Sequence, residues 1–403
     1  MTKSIDGSIY EPKIDDDMCI HCSNCFKVCP GHSLNFKEYN QILFNKLPSN
    51  ILMGNFINCY IGYSTDENIR YNSTSGGIAT QILIHLIDND LIDGALVTRM
   101  NKNKPLEPEP FIAKTKEEIV SSAVSKYCPV PLNKSIKELM GKPGKFAVVG
   151  LPCHIHGIRK LEKLNEDIRK KIILHIGLLC SHGVNFNGTQ FILKKNNIKE
   201  NDVEEISYRG HGWPGRMTIK MKNGVNRVIP FNRNWNAYWS IFMPYFFTPE
   251  RCMMCTDLMA ELADISLGDA WLPEFMNDKV GLSLIISRSD TSKNILKKMI
   301  NDKLIKLKRI HPDDVVRSQL FNMKFKKYDL ANRLFLYKSH KRKIPLYNPH
   351  PNVLNNFIVQ LRNMFILFNV YLSSKKNFTK YFIKMPIPLF RLYSGIIKIL
   401  YEL

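Results

Sequence analysis

Lys145-Phe146-Ala147-Val148-Val149-Gly150-Leu151-Pro152-Cys153 is the stretch that decides the fold class. After Lys145, Phe146 to Gly150 form a short, unbroken apolar run that reads as a buried strand, and Leu151-Pro152-Cys153 leads into a helix that continues through Leu164. Upstream, Asn72-Ser73-Thr74-Ser75-Gly76-Gly77 is a loop of small residues. It runs into Ile78, Ile82, Leu83, Leu86 and Ile87 at helical spacing, Asp93-Gly94 closes that helix, and Ala95-Leu96-Val97 is a second buried strand. Downstream, Ile172 to Cys180 is a third strand, ending on a cysteine. From Cys59 onward this alternation predicts an α/β body. Residues 203–230 change character: Glu205-Ile206-Ser207-Tyr208 and Met217-Thr218-Ile219-Lys220-Met221 alternate, and Asn223-Gly224 signals a hairpin. Ala263 to Gly268 and Leu282 to Ile286 add strands, a helix follows from Ser292 to Asn301, and no internal repeat is visible. The expected class is therefore α/β with α+β mixing and mixed sheets.

Ahead of that body stands Cys19-Ile20-His21-Cys22-Ser23-Asn24-Cys25-Phe26-Lys27-Val28-Cys29-Pro30. This is the C-x₂-C-x₂-C-x₃-C-P run of bacterial-type iron–sulfur sites, in which close thiolates let a short loop wrap a soft [4Fe–4S] cubane. A zinc site would need two paired knuckles. A disulfide framework does not suit a long chain with no charged-then-apolar leader over Met1 to Tyr10, and a reducing cytoplasm fits best. Residues 1–50 are too few to fold on an apolar core alone, so a ferredoxin-like lobe there would draw much of its stability from the cluster.

Six cysteines remain. Cys153 follows a strand, Cys180 ends one, and Cys252 and Cys255 form a C-x₂-C pair in Arg251-Cys252-Met253-Met254-Cys255. These four suit convergence on one metal centre, whereas Cys59 and Cys128 read as small buried hydrophobes. Ser73-Thr74-Ser75-Gly76-Gly77 before a helix is an anion-binding geometry, although on pattern alone an ordinary capped helix accounts for it. Neither the Walker pattern nor G-x-G-x-x-G occurs. Trp235, Trp239 and Trp271 read as core, and Trp213 as a residue suited to stacking on a ring system. His154 and His156 read as polar residues of a helix start.

The net charge is +21, unevenly placed. Phe321 to Leu403 holds fifteen Lys and Arg against Asp329 and Glu402, a net of +13, so the basic character belongs to the tail. Such a tail is either merely solvated or suited to an anionic membrane face or an acidic partner; nucleic acid is the weakest reading. Leu354, Phe357, Ile358, Leu361, Met364, Phe365 and Phe368 fall at helical spacing, too interrupted by polar residues for a membrane span. That helix packs on the body or lies at an interface beside Lys375, Lys376, Lys380 and Lys384.

Taken in order, these segments resemble the coenzyme F420 hydrogenase/dehydrogenase beta-subunit family, whose plant relatives include 7-hydroxymethyl chlorophyll a reductase. The matching stretches are Tyr60 to Ser64 with Ile69 to Gly77, Ile92-Asp93-Gly94-Ala95, Ser125-Lys126-Tyr127, Val149 to Cys153, Tyr208-Arg209-Gly210 with Gly212-Trp213-Pro214-Gly215, Arg251 to Asp257, Ala263 to Trp271, and Gly281-Leu282-Ser283. They run co-linearly from about Cys19 to Gln319, and the basic tail lies outside them. The resemblance implies FAD, two [4Fe–4S] clusters and electron transfer between a two-electron donor, reduced coenzyme F420, and ferredoxin or another one-electron partner. It implies that Cys153, Cys180, Cys252 and Cys255 hold a cluster near the flavin. It also implies that Arg70, Ser73, Thr74, Ser75, Gly76, Gly77, Lys126 and Tyr127 belong to the flavin site.

One departure stands out. Many fused members carry two ferredoxin runs, and this chain has one, so Cys29 must turn back to the cluster of Cys19, Cys22 and Cys25, with Cys59 as the reserve fourth ligand. The expected organisation is a 4Fe-4S lobe over 1–50, the two parts of the flavin domain over 51–140 and 141–320, and a basic, mostly helical tail over 321–403. The expected function is a flavin and iron–sulfur oxidoreductase, cytoplasmic or peripheral on the inner membrane face. The other readings are a non-catalytic electron-transfer subunit and a ferredoxin-dependent reductase of a small organic substrate.

Overall fold

In the computed structural model the chain is described over residues 1–231, 237–351, 356–375 and 377–402. Trp235, Leu354 and Lys376 lie outside the described residues. The body strands, in chain order, are β1 (Asn58–Ser64), β2 (Gly94–Met100), β3 (Pro108–Ala113), β4 (Phe146–Gly150), β5 (Ile172–Leu178), β6 (Val203–Ser207), β7 (Arg216–Met221), β8 (Asn226–Pro230), β9 (Ile265–Asp269), β10 (Ser283–Ser287) and β11 (Ile305–Arg309). The helices that matter below are α1 (Ile78–Asp88), α2 (Pro152–Leu164), α3 (Asp290–Asn301), α4 (Pro312–Met323), α5 (Leu330–Ser339), α6 (Phe357–Ser373) and α7 (Ile387–Glu402).

Eight strands form one mixed sheet in the order β11-β1-β10-β9-β5-β4-β2-β3. The middle four, β9, β5, β4 and β2, are parallel, and β3, β10, β1 and β11 add antiparallel pairings at the two sides. Being antiparallel to β10, β1 points the same way as the parallel group. Ser64, Met100, Gly150, Leu178 and Asp269 therefore end along one edge. In parallel sheets ligands bind beyond that edge.

Both faces are covered, which is why the parallel strands read as continuous apolar runs. On one face Ile82, Leu83 and Leu86 of α1 and Leu296 and Met299 of α3 pack on Val97, Ala147, Ile176 and Leu267. On the other, Ile158 of α2 packs with Leu96, Phe146, Val148 and Ile172. Each such aliphatic side chain contributes roughly 1.5–3 kcal/mol on burial. Strands from both sides of residue 140 share this sheet. The segments β6, β7 and β8 make a separate three-stranded antiparallel sheet, with the Asn223-Gly224 turn joining β7 to β8.

The tail is built into the body. A π-helical turn, Lys324–Tyr328, joins α4 to α5. Leu346–Asn348 pairs in parallel with Ser33–Asn35 of the N-terminal lobe. The packed face of α6 differs from the apolar spacing read in the sequence. Arg362, Asn363, Asn369 and Ser373 are buried together with Val359, Ile366 and Val370, while Phe357, Met364, Phe368 and Tyr371 are exposed. The inward polar groups have dedicated partners: Arg362 donates twice to Asp329, Asn369 to the Pro244 carbonyl, and the Ser373 hydroxyl accepts from the Phe247 N–H. Specific hydrogen bonds, rather than apolar area, decide which face turns inward.

Candidate functional site

Loops beyond the strand ends enclose a cavity of about 790 Å³, within the usual range for a cofactor site. Arg99, Lys102, Lys116 and Lys126 line it together with the carboxylates of Asp66, Glu204 and Glu205, and Ser73, Thr80, Ser121 and Ser125 supply hydroxyls. Met100, Val124 and Tyr208 give it apolar wall. Lys126 donates to the carbonyls of Ser122, Ala123 and Val124 at 2.5–2.8 Å. Burial lowers its ammonium to about 7, so an anion in the cavity would hold the charged form. A space of this size, with Arg99, Lys102, Lys116 and Lys126 in its lining, suits a pyrophosphate-bearing cofactor such as FAD.

Of the residues expected at a flavin, Ser73 and Lys126 line this cavity. The others sit behind it. Thr74 Oγ1 accepts from the Ser125 N–H, Ser75 Oγ lies 2.9 Å from Ser283 Oγ, and the Gly76 N–H donates to Ser283 Oγ. These groups fasten the loop to the sheet. Gly76 has no room for a side chain, since a Cβ there would stand 2.4 Å from the Gly62 carbonyl oxygen. Gly77, at φ +75°, precedes α1. Arg70 donates to Asp278 and the Gly281 carbonyl. Tyr127 stacks on Tyr238 at 4.9 Å. Sequence reasoning missed Arg99, Lys102 and Lys116; Arg99 ends a strand at the ligand-binding edge, but nothing in the local pattern separates Lys102 and Lys116 from solvated lysines.

Behind the loop lies Arg209, 1% exposed. It donates to both carboxylate oxygens of Asp269 and to the carbonyls of Pro214 and Thr74. Trp213 Nε1 donates to Asp269 Oδ1 at 2.9 Å, and its ring packs on Trp271 at 4.7 Å. Trp213 is buried, whereas Trp239 and Trp271 are half-buried, with Trp239 packed against the core.

Cys153, Cys180, Cys252 and Cys255 come together at the same edge. Cys153 lies in the first turn of α2 after β4, Cys180 two residues past β5, and Cys252 and Cys255 at the short helix Glu250–Met253. The four thiols act on one another electrostatically. Burial, reinforced by Cys255 and Cys252, raises Cys153 to about 12, and burial raises Cys180 and Cys252 as well. For Cys255 burial also acts upward, but Lys326 and Arg251 outweigh it and the thiol is lowered. Among the described residues no group of three or more His, Cys, Asp or Glu side chains is drawn to single-ion distance. Four half-buried soft donors with two cations beside them fit an anionic iron–sulfur cluster, whose binding would drive the thiols to release their protons.

The tail fastens this pocket. Lys326, 1% exposed, reaches Cys255 from the π-helical turn. Arg333 donates to the Met253 carbonyl at 2.8 Å and the Tyr347 hydroxyl to the Met254 carbonyl at 2.7 Å, so the two residues between Cys252 and Cys255 are both held. Sequence reasoning missed all three, because they lie in a segment that reads as a solvated basic tail.

His154 Nδ1 accepts from the Leu151 N–H at the start of α2, and His156 Nε2 lies 2.8 Å from Asp257 Oδ2. Of the N-terminal run, Cys22, Cys25 and Cys29 are exposed and Cys19 is half-buried. The run docks on the second pocket: Arg251 donates to the Pro30 carbonyl at 2.9 Å, and Lys160 of α2 to the carbonyls of Cys29 and Ser33. Cys59 is elsewhere, buried in β1 with Met53, Ile61 and Met259, so it cannot serve as a reserve ligand for the Cys19–Cys29 loop. Burial raises it to about 11. Cys128 is a core residue.

A mixed α/β sheet with a ferredoxin-type cysteine loop docked at its strand ends defines an iron–sulfur electron-transfer protein. The chain belongs to the coenzyme F420 hydrogenase/dehydrogenase beta-subunit family: residues 59–137 match that family's N-terminal region, residues 144–313 its C-terminal region, and residues 11–36 a 4Fe-4S binding domain. It is 27% identical over 266 residues to the coenzyme F420 hydrogenase subunit beta of Methanothermobacter thermautotrophicus, covering 64% of this chain and 87% of that one. It is 28% identical over 313 residues to the coenzyme F420-dependent sulfite reductase of Methanocaldococcus jannaschii, covering 70% of this chain and 46% of that protein. Its fold is similar to a chain of the F420-reducing [NiFe] hydrogenase complex from Methanosarcina barkeri, at a TM-score of 0.57 and 22% identity, covering 73% of this chain and 97% of that one. Among the described residues no helix is long and apolar enough to cross a membrane.

Proposed function

We propose that the chain is an FAD and iron–sulfur oxidoreductase that exchanges electrons between a two-electron donor, reduced coenzyme F420, and one-electron carriers. The observation that carries this reading is the placement of the cofactor-sized cavity and the cysteine pocket along one edge of the sheet. Bound in the cavity, FAD would supply the coupling between two-electron and one-electron transfer. Arg99, Lys102 and Lys116 would take its pyrophosphate, Lys126 would add its charge from the wall, and the Arg209–Asp269 pair would hold the Ser73–Gly77 loop against it. Cys153, Cys180, Cys252 and Cys255 would bind one [4Fe–4S] cluster, and Cys19, Cys22, Cys25 and Cys29 the other. Arg251 and α2 hold the two cysteine sets against each other, and the exposure of Cys22, Cys25 and Cys29 suits a redox partner such as ferredoxin docking there. Membership in a beta-subunit family also supports an assembly in which another subunit receives the electrons.

The exposed Phe357, Met364, Phe368 and Tyr371 of α6, with Lys375 just beyond them, support peripheral contact with an anionic membrane. Anaerobic purification with flavin and iron analysis tests the main reading. It expects one FAD and about eight iron per chain on the two-cubane count, and reduction of the flavin on adding reduced coenzyme F420. Flavin-free protein after reconstitution, or zinc in place of iron, would overturn it.

A further inference from the structure

We infer that Lys326 sets the reduction potential of the cluster held by Cys153, Cys180, Cys252 and Cys255. The inference rests on the reading that these four cysteines bind a cluster. The family match ends at residue 313, so Lys326 belongs to the segment beyond the matched region.

Three observations carry it. First, the side chain is 1% exposed, and burying an ammonium costs several kcal/mol unless negative charge compensates it. Second, the groups that act on that charge are Cys255, Cys180 and Cys252, with a hydrogen bond to Cys255. Neutral thiols compensate a cation poorly, whereas an anionic thiolate-bound cluster does so well. Third, the backbone is built for the placement. Lys326 sits at the centre of the π-helical turn Lys324–Tyr328, an irregularity often found at functional sites. The residues on either side of Lys326 are pinned. Arg333 donates to the Phe325 carbonyl at 2.5 Å, and Lys327 pairs with the carboxylate of Glu261. The neighbouring lysine thus has a carboxylate partner of its own, and Lys326 is left to the sulfurs.

Reduction of the cluster adds one electron to it and makes or breaks no bond. A fixed positive charge beside it favours the more negative, reduced state and raises the potential. Arg251 stands on the other side of Cys255 but also serves the Pro30 carbonyl.

The test uses the full chain, prepared anaerobically, with redox titration of each cluster followed by electron paramagnetic resonance. Cys252→Ser first identifies which signal belongs to this pocket. If Cys252→Ser leaves iron content and both signals unchanged, the cluster reading itself fails. Lys326→Met keeps the aliphatic stem and removes the charge; its cluster should titrate at a clearly lower potential while the N-terminal cluster stays where it was. Lys326→Arg should stay close to wild type. Loss of this cluster's iron from Lys326→Met with retention in Lys326→Arg also supports the inference, since charge and not shape then decides. An unshifted potential in a fully loaded Lys326→Met, an equal shift of both clusters, or loss of iron from both Lys326 variants would overturn it.

Discussion

Arg209→Met removes the one cation in the wall behind the Ser73–Gly77 loop while keeping most of the side-chain volume. The guanidinium is fully buried and donates to Asp269 at 2.7 and 3.3 Å, to the Pro214 carbonyl at 2.8 Å and to the Thr74 carbonyl at 3.1 Å. Removing one partner of a buried ion pair typically costs roughly 3–5 kcal/mol, because the other charge is left uncompensated. The stranded Thr74 and Pro214 carbonyls act in the same direction, and Trp213 Nε1, which still donates to Asp269, moderates it. The expected loss is about 4 kcal/mol, a large share of the roughly 5–15 kcal/mol that holds a typical native protein together. Chemical unfolding of the anaerobic chain measures it. The double variant Arg209→Met with Asp269→Leu should lose less than the sum of the two single variants, by at least about 1 kcal/mol. The same variant should weaken FAD binding, since Thr74 no longer has a fixed carbonyl partner. A loss under about 1 kcal/mol for Arg209→Met, or strictly additive single variants, would refute the claim that this pair is the loop's anchor.

Cys22→Ser should lose about four of the eight irons expected on the two-cubane reading and leave the second signal intact, and Cys252→Ser should do the converse. Loss of one common signal in both variants would show that the two sets are wrongly assigned. Lys126, lowered to about 7 by burial, carries its charge below that value and sheds it above. FAD should therefore dissociate more readily as pH rises from about 7 toward 9, and Lys126→Gln should flatten that profile; an unchanged slope in the variant would remove Lys126 from the site. The unfolded lysine keeps its proton up to about 10.4, so burying the ammonium penalises folding below pH 7 and the penalty fades across the interval between the two values. Gly76→Ala should destabilise the loop strongly and lower FAD occupancy, because the added carbon would meet backbone at 2.4 Å from Gly62 and 2.8 Å from Ser283; near-normal thermal stability would mean the loop can shift to admit it.

Much of the body was legible because its signals are local. The run at Phe146–Gly150 is buried on both faces, so it is continuously apolar, and the helix after it ends at Leu164 as its periodicity predicts. The Asn223-Gly224 turn carries its own conformational signature, and the N-terminal cysteine spacing carries its own chemistry. What the sequence hid depends on pairing. β3 and β11 border the sheet, and Pro108-Glu109-Pro110 and Ile305-Lys306-Leu307-Lys308-Arg309 are too polar or proline-rich to announce strands. The cavity was hidden for the same reason. The hydroxyls of Ser73–Gly77 looked free in the sequence, but Ser283 and Ser125, far away in the chain, occupy several of their bonds. The cations that line the cavity come instead from loops whose lysines look like any solvated lysine.

The tail makes that lesson sharper, because there a correct local reading pointed to the wrong face. The apolar spacing from Phe357 to Phe368 describes a genuine stripe, and it lies outward. The inward stripe is Arg362, Asn363, Asn369 and Ser373, residues that an amphipathic reading assigns to solvent. Each answers a buried polar group of the body: Asp329, one guanidinium nitrogen of Arg333, the Pro244 carbonyl and the Phe247 N–H. An unpaired buried group costs about 1–3 kcal/mol, comparable with what one exposed phenylalanine would gain by turning inward. Four such groups together match the outward apolar stripe, and Val359, Ile366 and Val370, buried on the same inward face, tip the balance. The result also orders the site, since Asp329 follows the turn that carries Lys326, and Arg333 grips both Phe325 in that turn and Met253 between the cysteines. The face of α6 that looks wrong for a core is thus the one that reaches, through two arginines, the backbone around Cys252 and Cys255.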